Sequence, residues 1–288
     1  MKILLLGGTV FLSEHIAKKI IEKGYTLDIL TRGTKKVNYS GVNEHIICDR
    51  DESNSLKKLL RGRQYDIIVD ISVRTPSEVN NLIQALDICH VKKYIMCSTA
   101  SIFEIPMDGI VDDRRELVFA KSNEYCVGKK NAEEMLINSG LNYVVIRPTY
   151  IYGEGNNLGR EILLIKSIMQ NIPIYIENNF EFNPIYVGDL SNVFMDAIQN
   201  DIMLNKCILV GSNEVINYVT FVKKCADVCR KEGVICCKKP NSAYLKMPYL
   251  KTNVVINTSI IENYEFKFTN YYNGLSNVYE WILKEDVV

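Results

Sequence analysis

The chain begins with a short apolar run that ends in two glycines. Residues Lys2–Leu6 are followed directly by Gly7, Gly8 and Thr9, and then by apolar residues at helical spacing as far as Gly24. A buried strand, a tight glycine turn and a helix form the first half of a β-α-β unit. In such a unit the backbone N–H groups of the turn and the start of the helix can receive a pyrophosphate. The sequence therefore predicts an α/β fold built on a parallel sheet.

Further apolar runs, separated by helical patterns and polar loops, predict more strands of the same sheet. From about Ile172 the pattern changes to short strands and helices, which is typical of a smaller second lobe. Helices are predicted over residues 53–62 and from about Ser77 to Cys89. The predicted second to sixth strands are Thr26–Leu30, Ile46–Cys48, Asp66–Ile71, Tyr94–Ser98 and Tyr143–Ile146.

Composition limits the classes of partner. The 288 residues contain 34 basic and 34 acidic side chains, so no charge excess favours nucleic acid or an acidic membrane surface. No apolar run reaches about 18 residues, so we expect no membrane span. Nine cysteines, an odd number, and the lack of a signal-peptide pattern favour reduced thiols in the cytoplasm. Neither Cys225 and Cys229 nor the adjacent Cys236 and Cys237 have zinc-like spacing, so we expect no metal site.

Tyr125 and Lys129 lie four residues apart in a helical pattern that continues through Ala132, Met135 and Leu136. At this spacing the phenol and the ammonium can face one ligand. A phenol has a pKa of about 10 in water, and lowering that pKa to about 7 takes roughly 4 kcal/mol of differential stabilisation. A fixed cation beside the ring acts in that direction. The alternative is a solvated pair on a surface helix.

Three motifs give the chain a family resemblance. Gly7–Leu12 is similar to the Gly-Gly-Thr-x-Phe-Leu start of one branch of the extended short-chain dehydrogenase/reductase superfamily, although most members have glycine where Val10 and Ser13 stand. Thr99 follows the fifth predicted strand and precedes Tyr125 by 26 residues, a separation typical of that superfamily. Residues 147–157 resemble its Arg-Pro-x-x-Ile-Tyr-Gly-Pro-Gly segment, with Glu154 in place of proline. The chain thus resembles the NAD-dependent epimerase/dehydratase family.

The resemblance implies a Rossmann-type doubly wound parallel sheet with a smaller C-terminal substrate lobe. Residues 1–155 would form the NAD(P)-binding domain and residues 156–288 mainly the substrate lobe, with segments near 183–200 returning to the first domain. It also implies catalytic roles. Tyr125 would remove a hydroxyl proton, Lys129 would hold the cofactor ribose and lower the tyrosine pKa, and Thr99 would orient the reacting oxygen.

Further site residues follow from the same resemblance. The cofactor-binding set is Gly7, Thr9, Val10, Phe11, Leu12, Arg32, Asp49, Arg50, Ile71, Ser72, Tyr125, Lys129 and Pro148. The substrate-binding set is Ser101, Thr149, Tyr150, Asn156 and Arg160. Several have structural alternatives: a helix cap for Asp49, a local hydroxyl turn for Thr99 and a surface position for Arg160.

The end of the second predicted strand bears on the choice of cofactor. NAD-selective folds usually place an acid there to hold the ribose 2′-hydroxyl, whereas this chain has Thr31 followed by Arg32. A guanidinium can pair with a 2′-phosphate and a carboxylate cannot. The sequence therefore favours NADP(H) over NAD(H), unless Arg32 is simply solvated.

The resemblance implies hydride transfer at a hydroxyl or ketone of a nucleotide-activated sugar, by an epimerase or a ketoreductase. Dehydratases usually add an acid pair after the Thr99 position, where this chain has Ala100 and Ser101. A homodimer through helices near 77–89 and 115–138 is also implied. The alternative, from another class, is a non-catalytic nucleotide-sensing or RNA-binding relative. Retention of Thr99, Tyr125 and Lys129 together with the balanced charge favours the enzyme.

Overall fold

The computed structural model describes residues 1–121, 123–232, 235, 236, 238–241, 243–247, 252–257 and 266–285. Strands and helices are numbered here in chain order. The strands are β1 Lys2–Leu6, β2 Thr26–Thr31, β3 Glu44–Ile47, β4 Ile67–Asp70, β5 Lys93–Cys97, β6 Ile110–Asp112, β7 Tyr143–Pro148, β8 Ile151–Tyr152, β9 Ile174–Ile176, β10 Glu181–Phe182, β11 Ile185–Tyr186, β12 Lys206–Val210, β13 Ile216–Asn217, β14 Ile235–Cys236, β15 Leu245–Met247 and β16 Val255–Asn257. The helices are α1 Phe11–Glu22, α2 Ser53–Leu60, α3 Pro76–Ala85, α4 Glu124–Ile137, α5 Arg160–Met169, α6 Val187–Gln199, α7 Tyr218–Val228 and α8 Tyr271–Glu285.

Seven parallel strands form the main sheet in the order β12-β7-β5-β4-β1-β2-β3. From β1 the chain builds outward through β2 and β3, then returns to the other side of β1 with β4. The strand order therefore reverses between β1 and β4, and ligands of such sheets bind at the carboxyl ends of the strands beside this point. The predicted Rossmann-type doubly wound sheet is confirmed.

The apolar runs form strands because both faces of the sheet are covered. Residues 3–6 of β1 and 94–96 of β5 are fully buried, as parallel interior strands require. Helix α3 begins where predicted because Thr75 and Glu78 form a capping box and Pro76 occupies the first turn. The predicted helix from Ser77 to Cys89 is too long, however. It ends at Ala85 because Leu86 is extended, and Ile88–His90 forms a separate 3₁₀ turn capped by Asp87.

The chain divides into two compact units. The first unit contains residues Met1–Glu104, Arg115–Pro148 and Leu190–Val210, and the second contains Ile105–Arg114, Thr149–Asp189 and Gly211–Val288. The second unit has its own core, in which the ring centroids of Phe182 and Tyr218 lie 4.6 Å apart and Phe221 and Tyr271 are fully or almost fully buried. The boundary predicted between residues 155 and 156 stays a prediction. Among the described residues, no helix is both long and apolar enough to cross a membrane.

Candidate active site

The glycine turn after β1 adopts a backbone conformation that other residues rarely accept. Gly7 and Gly8 have φ values of +124° and +112°. A Cβ at Gly7 would lie 2.8 Å from the Cβ of Ser13, so the turn packs directly against helix α1. Ser13 is small enough for this approach, and its hydroxyl donates to the Val10 carbonyl at 2.8 Å. Val10 caps α1 without any side-chain acceptor. The first-turn N–H groups of α1 thus have no side-chain cap from that residue.

Two of the predicted catalytic residues, Lys129 and Thr99, lie at the carboxyl end of β5. Lys129 is buried on α4 and its ammonium donates to the Cys97 carbonyl at 2.7 Å, at the last residue of the strand. Two residues later, the Thr99 hydroxyl accepts from the Ser101 N–H at 3.2 Å. This is the local hydroxyl turn named as an alternative, and it leaves the hydroxyl proton available for donation. The structure therefore brings the end of β5 and helix α4 together at Lys129.

Tyr125 sits in the first turn of α4, where its ring is 48% exposed. The side chain of Asn123 caps the helix by accepting from the N–H groups of Tyr125 at 3.0 Å and Cys126 at 3.3 Å. The Lys129 ammonium lies 5.9 Å from the centroid of the Tyr125 ring. The four-residue spacing thus places the ammonium beside the ring, and the shared ligand of the two groups stays a prediction.

A glycine inside α4 allows the helix to approach the loop after β4. A Cβ at Gly128 would lie only 2.5 Å from the carbonyl oxygen of Arg74.

The buried face of α4 differs from the one predicted. Met135, assigned to the apolar side, is 38% exposed, while the buried residues are Cys126, Lys129, Ala132, Glu133 and Leu136. Two of these are charged, which is why apolar spacing alone gave the wrong face.

Burial dominates the electrostatics of Lys129. It lowers the pKa of the Lys129 ammonium, whereas the charges of Asp70 and Glu78 act to raise that pKa. Burial also raises the pKa of the neighbouring Cys97 thiol to about 11, which keeps that thiol neutral at pH 7. Nearby carboxylates thus offset part of the cost of burying this cation.

The predicted cofactor residues after β3 and β4 have different surroundings. Asp49 is exposed and accepts from the Asp51 N–H at 3.1 Å rather than capping α2. Arg50 is buried and makes a two-pronged ion pair with Asp70, at 2.9 and 2.7 Å. The cofactor role of Arg50 stays a prediction; its pairing with Asp70 is observed. Sequence reasoning missed Asp70, although an acid that closes an otherwise apolar strand was a usable signal.

Ile71 and Pro148 lie at the carboxyl edge of the sheet, as their predicted roles require. The Ile71 N–H donates to the Leu6 carbonyl at 3.2 Å, which places it against the glycine turn. Pro148 is the buried last residue of β7. Ser101 is exposed, and the Ser98 hydroxyl is buried without a hydrogen-bond partner.

The corner after β2 has no carboxylate at the strand end. The Thr31 hydroxyl hydrogen-bonds to His45 at 2.7 Å and accepts from the Gly33 N–H at 3.0 Å, while Arg32 is exposed. A cleft of about 510 Å³ lies beside this corner, lined by Lys35, Lys36 and other residues of the 33–47 segment.

The predicted substrate residues 149–160 belong to the second unit. Thr149 donates to the Asn183 carbonyl at 2.9 Å, and the Arg160 guanidinium lies 4.4 Å from the centroid of the buried Tyr150 ring. Asn156 is buried, and its amide donates to both carboxylate oxygens of Glu161 at 3.0 Å. Asn156 therefore has a structural partner, and its contact with substrate stays a prediction.

The first unit fits a nicotinamide dinucleotide. The positive φ values of Gly7 and Gly8 and the missing side-chain cap on α1 suit a bound pyrophosphate. Ser98 adds an unpaired buried hydroxyl close in sequence to Thr99. No group of three or more His, Cys, Asp or Glu side chains is placed to hold a metal within the described residues, which do not include Cys237.

Comparison with known proteins identifies the family. A sequence profile of the NAD dependent epimerase/dehydratase family matches residues 3–210, and the chain belongs to this family. A curated relative, the chloroplast stem-loop binding protein of 41 kDa b of Arabidopsis thaliana, is 25% identical over 240 residues. The match covers 78% of this chain and 62% of that relative, so the chain spans less than two thirds of its length.

Solved structures share the fold at low sequence identity. UDP-glucose 4-epimerase of Thermotoga maritima, with UDP-glucose, is 16% identical with a TM-score of 0.79, covering 99% of both chains. UDP-glucuronic acid 4-epimerase of Bacillus cereus, with NAD, is 17% identical with a TM-score of 0.79 and the same coverage. dTDP-glucose 4,6-dehydratase of Bacillus anthracis, with NAD, is 16% identical with a TM-score of 0.82, covering 100% of this chain and 98% of the other.

Glu161 gives the second unit a measurable pH dependence. Burial raises the pKa of Glu161 to about 7 from the usual 4.5. Because the folded state then binds the proton more tightly than the unfolded state, the free energy of unfolding falls as pH rises between those values, by at most about 3 kcal/mol. Glu161→Gln cannot titrate, so we expect its stability relative to wild type to increase across this interval. Urea unfolding at several pH values from about 4.5 to 7.5 measures the difference.

Glu177 in the same unit is the matched control. Its side chain is exposed, so Glu177→Gln makes the same substitution at a carboxylate that water reaches. The free energy of unfolding of Glu177→Gln, plotted against pH, should run parallel to that of wild type across the interval. A parallel plot for Glu161→Gln as well would contradict the raised pKa of Glu161.

Proposed function

We propose that the chain is a nicotinamide-dependent oxidoreductase or isomerase that acts on a hydroxyl or ketone of a nucleotide-activated sugar. The observation that carries the proposal is the position of the buried Lys129 ammonium. It donates to the Cys97 carbonyl and lies 5.9 Å from the centroid of the exposed Tyr125 ring. The family contributes the cofactor class, and relatives of the same fold include epimerases crystallised with UDP-glucose or NAD.

The side chains divide the work as follows. Tyr125 accepts the hydroxyl proton of the substrate, which requires its phenolate form. The adjacent ammonium of Lys129 favours that form electrostatically and offers donors to a ribose hydroxyl. Thr99, whose oxygen is occupied as an acceptor by Ser101, donates its proton to the reacting oxygen. A nicotinamide ring, when bound, would supply the hydride acceptor for epimerisation or the hydride donor for ketone reduction. In the reduction, the Tyr125 hydroxyl donates its proton to the carbonyl oxygen instead of accepting one.

The substitution Tyr125→Phe, which removes only the phenol oxygen, tests the proposed proton transfer. We expect Tyr125→Phe to lower kcat by at least about 100-fold, because no other general base replaces the phenol, while the Kd for NADH or NADPH changes by less than about threefold. Turnover is measured on a panel of nucleotide sugars that includes UDP-glucose, and binding by cofactor fluorescence. Tyr272→Phe is the matched control, since Tyr272 is similarly exposed at 53%. Full activity of the Tyr125→Phe variant would contradict the proposed mechanism.

The cofactor preference rests on the corner after β2. We propose NADP(H) over NAD(H), because Arg32 is exposed beside Thr31 where an NAD-selective fold places an acid. An exposed charge pair contributes about 1 kcal/mol, so Arg32→Ala should weaken NADPH binding about fivefold and leave NADH binding unchanged. Fluorescence titration measures both Kd values, with Arg61→Ala, an exposed arginine after α2, as control. Tighter binding of NADH than of NADPH by wild type would overturn the preference.

The stem-loop binding relative favours a second candidate, a non-catalytic RNA-binding protein. We expect stem-loop RNA to bind weakly or not at all at physiological salt, because the chain has equal numbers of acidic and basic residues. Electrophoretic mobility shift with a stem-loop RNA, compared with cofactor titration on the same preparation, separates the two. Tight RNA binding without cofactor binding would favour the second candidate.

We propose a homodimer on family resemblance alone, and sedimentation velocity tests it. A cytoplasmic location is proposed from the odd number of cysteines. The one curated relative described above is chloroplastic.

A further inference from the structure

The last residue of β4, Asp70, is a fully buried carboxylate with several donors. The two terminal nitrogens of Arg50 bind its two oxygens at 2.9 and 2.7 Å. The Tyr94 hydroxyl, from the neighbouring strand β5, donates to Asp70 at 2.7 Å. These contacts lower the pKa of the Asp70 carboxyl against the opposing effect of burial, so the group is ionised at neutral pH.

The same ion pair fixes the loop that follows β4. The N–H groups of Ser72 and Val73 donate to one Asp70 oxygen at 3.2 and 3.1 Å. The Arg50 guanidinium also donates to the Ser72 hydroxyl at 3.3 Å and to the Glu78 carbonyl at 3.1 Å. This loop begins with Ile71, which is hydrogen-bonded to the end of β1. The Asp70–Arg50 pair therefore holds the segment beside the glycine turn.

Asp70 also lies near Lys129, since it pairs in the sheet with Met96 of β5, the residue before Cys97, whose carbonyl accepts from the Lys129 ammonium at 2.7 Å. The charged or titratable groups that act on that ammonium are Cys97 on β5, Asp70 on β4, Glu78 on α3 and Arg50 after β3. Cys97 is a neutral thiol at pH 7, and Arg50 opposes the ammonium. Asp70 is the buried carboxylate of the set, whereas Glu78 is only partly buried.

We propose that Asp70, held by Arg50, is a positioning residue for the reaction proposed above. It fixes the loop 71–73 beside the glycine turn and supplies the negative charge that balances the buried ammonium of Lys129. The inference rests on the proposed function for its effect on catalysis, but the charge balance is a property of the protein alone.

The test removes the negative charge of Asp70 and keeps the shape of its side chain. Asp70→Asn should lower the pKa of Lys129 by about one unit or more, since Arg50 is then left uncompensated near the ammonium. It should also raise the Kd for NADH about tenfold, because the loop loses its anchor. The pKa is read from the side-chain carbon resonances of lysine by NMR, with Lys129→Met for assignment. Thermal unfolding is followed in parallel.

The control uses another buried carboxylate of the first unit. Asp28 on β2 is fully buried and pairs with the Lys2 ammonium at 3.1 Å, so Asp28→Asn makes the same substitution at a second buried charge. We expect Asp28→Asn to lower the Tm comparably while leaving the pKa of Lys129 and the Kd for NADH unchanged, since Lys2 is the first residue of β1, at the opposite edge of the sheet from Lys129. Equal effects of both variants, or no effect of Asp70→Asn on either quantity, would overturn the proposal.

A double variant covers the case in which Asp70→Asn does not fold. Asp70→Asn combined with Arg50→Met removes both charges of the ion pair, so neither partner is left buried without the other. Its Lys129 pKa should lie between those of wild type and Asp70→Asn, with NADH binding still weakened; a wild-type pKa together with wild-type binding would refute the proposal. If wild type binds neither NADH nor NADPH, the proposed function fails, yet the NMR comparison still decides whether Asp70 balances Lys129.

Discussion

The site depends on one buried cation. Lys129 is placed under the end of β5, where water cannot reach its ammonium, and the Cys97 carbonyl is its hydrogen-bond acceptor at 2.7 Å. Burying an ammonium costs several kcal/mol unless charges and dipoles replace the lost hydration. The strand-end carbonyl and the carboxylate of Asp70 do this here. Because the cation is fixed, the neighbouring phenol of Tyr125 experiences a constant field without being buried itself.

Close backbone approach is the second constraint, and glycine makes it possible. The turn at Gly7 and Gly8 needs positive φ values, and Gly7 in addition has no room for a Cβ against Ser13. Gly128 serves a different purpose, since its φ is ordinary for a helix and only the space is limiting, with the Arg74 carbonyl at 2.5 Å from a Cβ. The glycine between Tyr125 and Lys129 is therefore what lets α4 sit deep enough for Lys129 to reach β5.

The sheet could be predicted from sequence because its strands are short, apolar and separated by glycine turns and capped helices. The proximity of the Tyr125 ring and the Lys129 ammonium could be predicted because a four-residue spacing on a helix is local, while their catalytic role stays a prediction. Three features could not. The buried face of α4 contains Lys129 and Glu133, so apolar periodicity assigned Met135 to it wrongly. Arg50, in the loop after β3, pairs with Asp70 20 residues later at the end of β4, and no sequence motif indicates the hydrogen bonds between Asn156 and Glu161.

Two polar contacts made by its buried face explain how α4 is oriented. Arg147, on β7, holds Glu133 in the middle of the helix, and Lys129 one turn earlier is held by β5. Residues four apart share a face of a helix, so these contacts fix the rotation of α4 about its axis. With that rotation set, Tyr125, four residues before Lys129, lies on the same face of α4 in its first turn, where it is 48% exposed. The polar contacts of Lys129 and Glu133 thus hold the phenol next to the buried ammonium, which apolar packing alone, being non-directional, would not do.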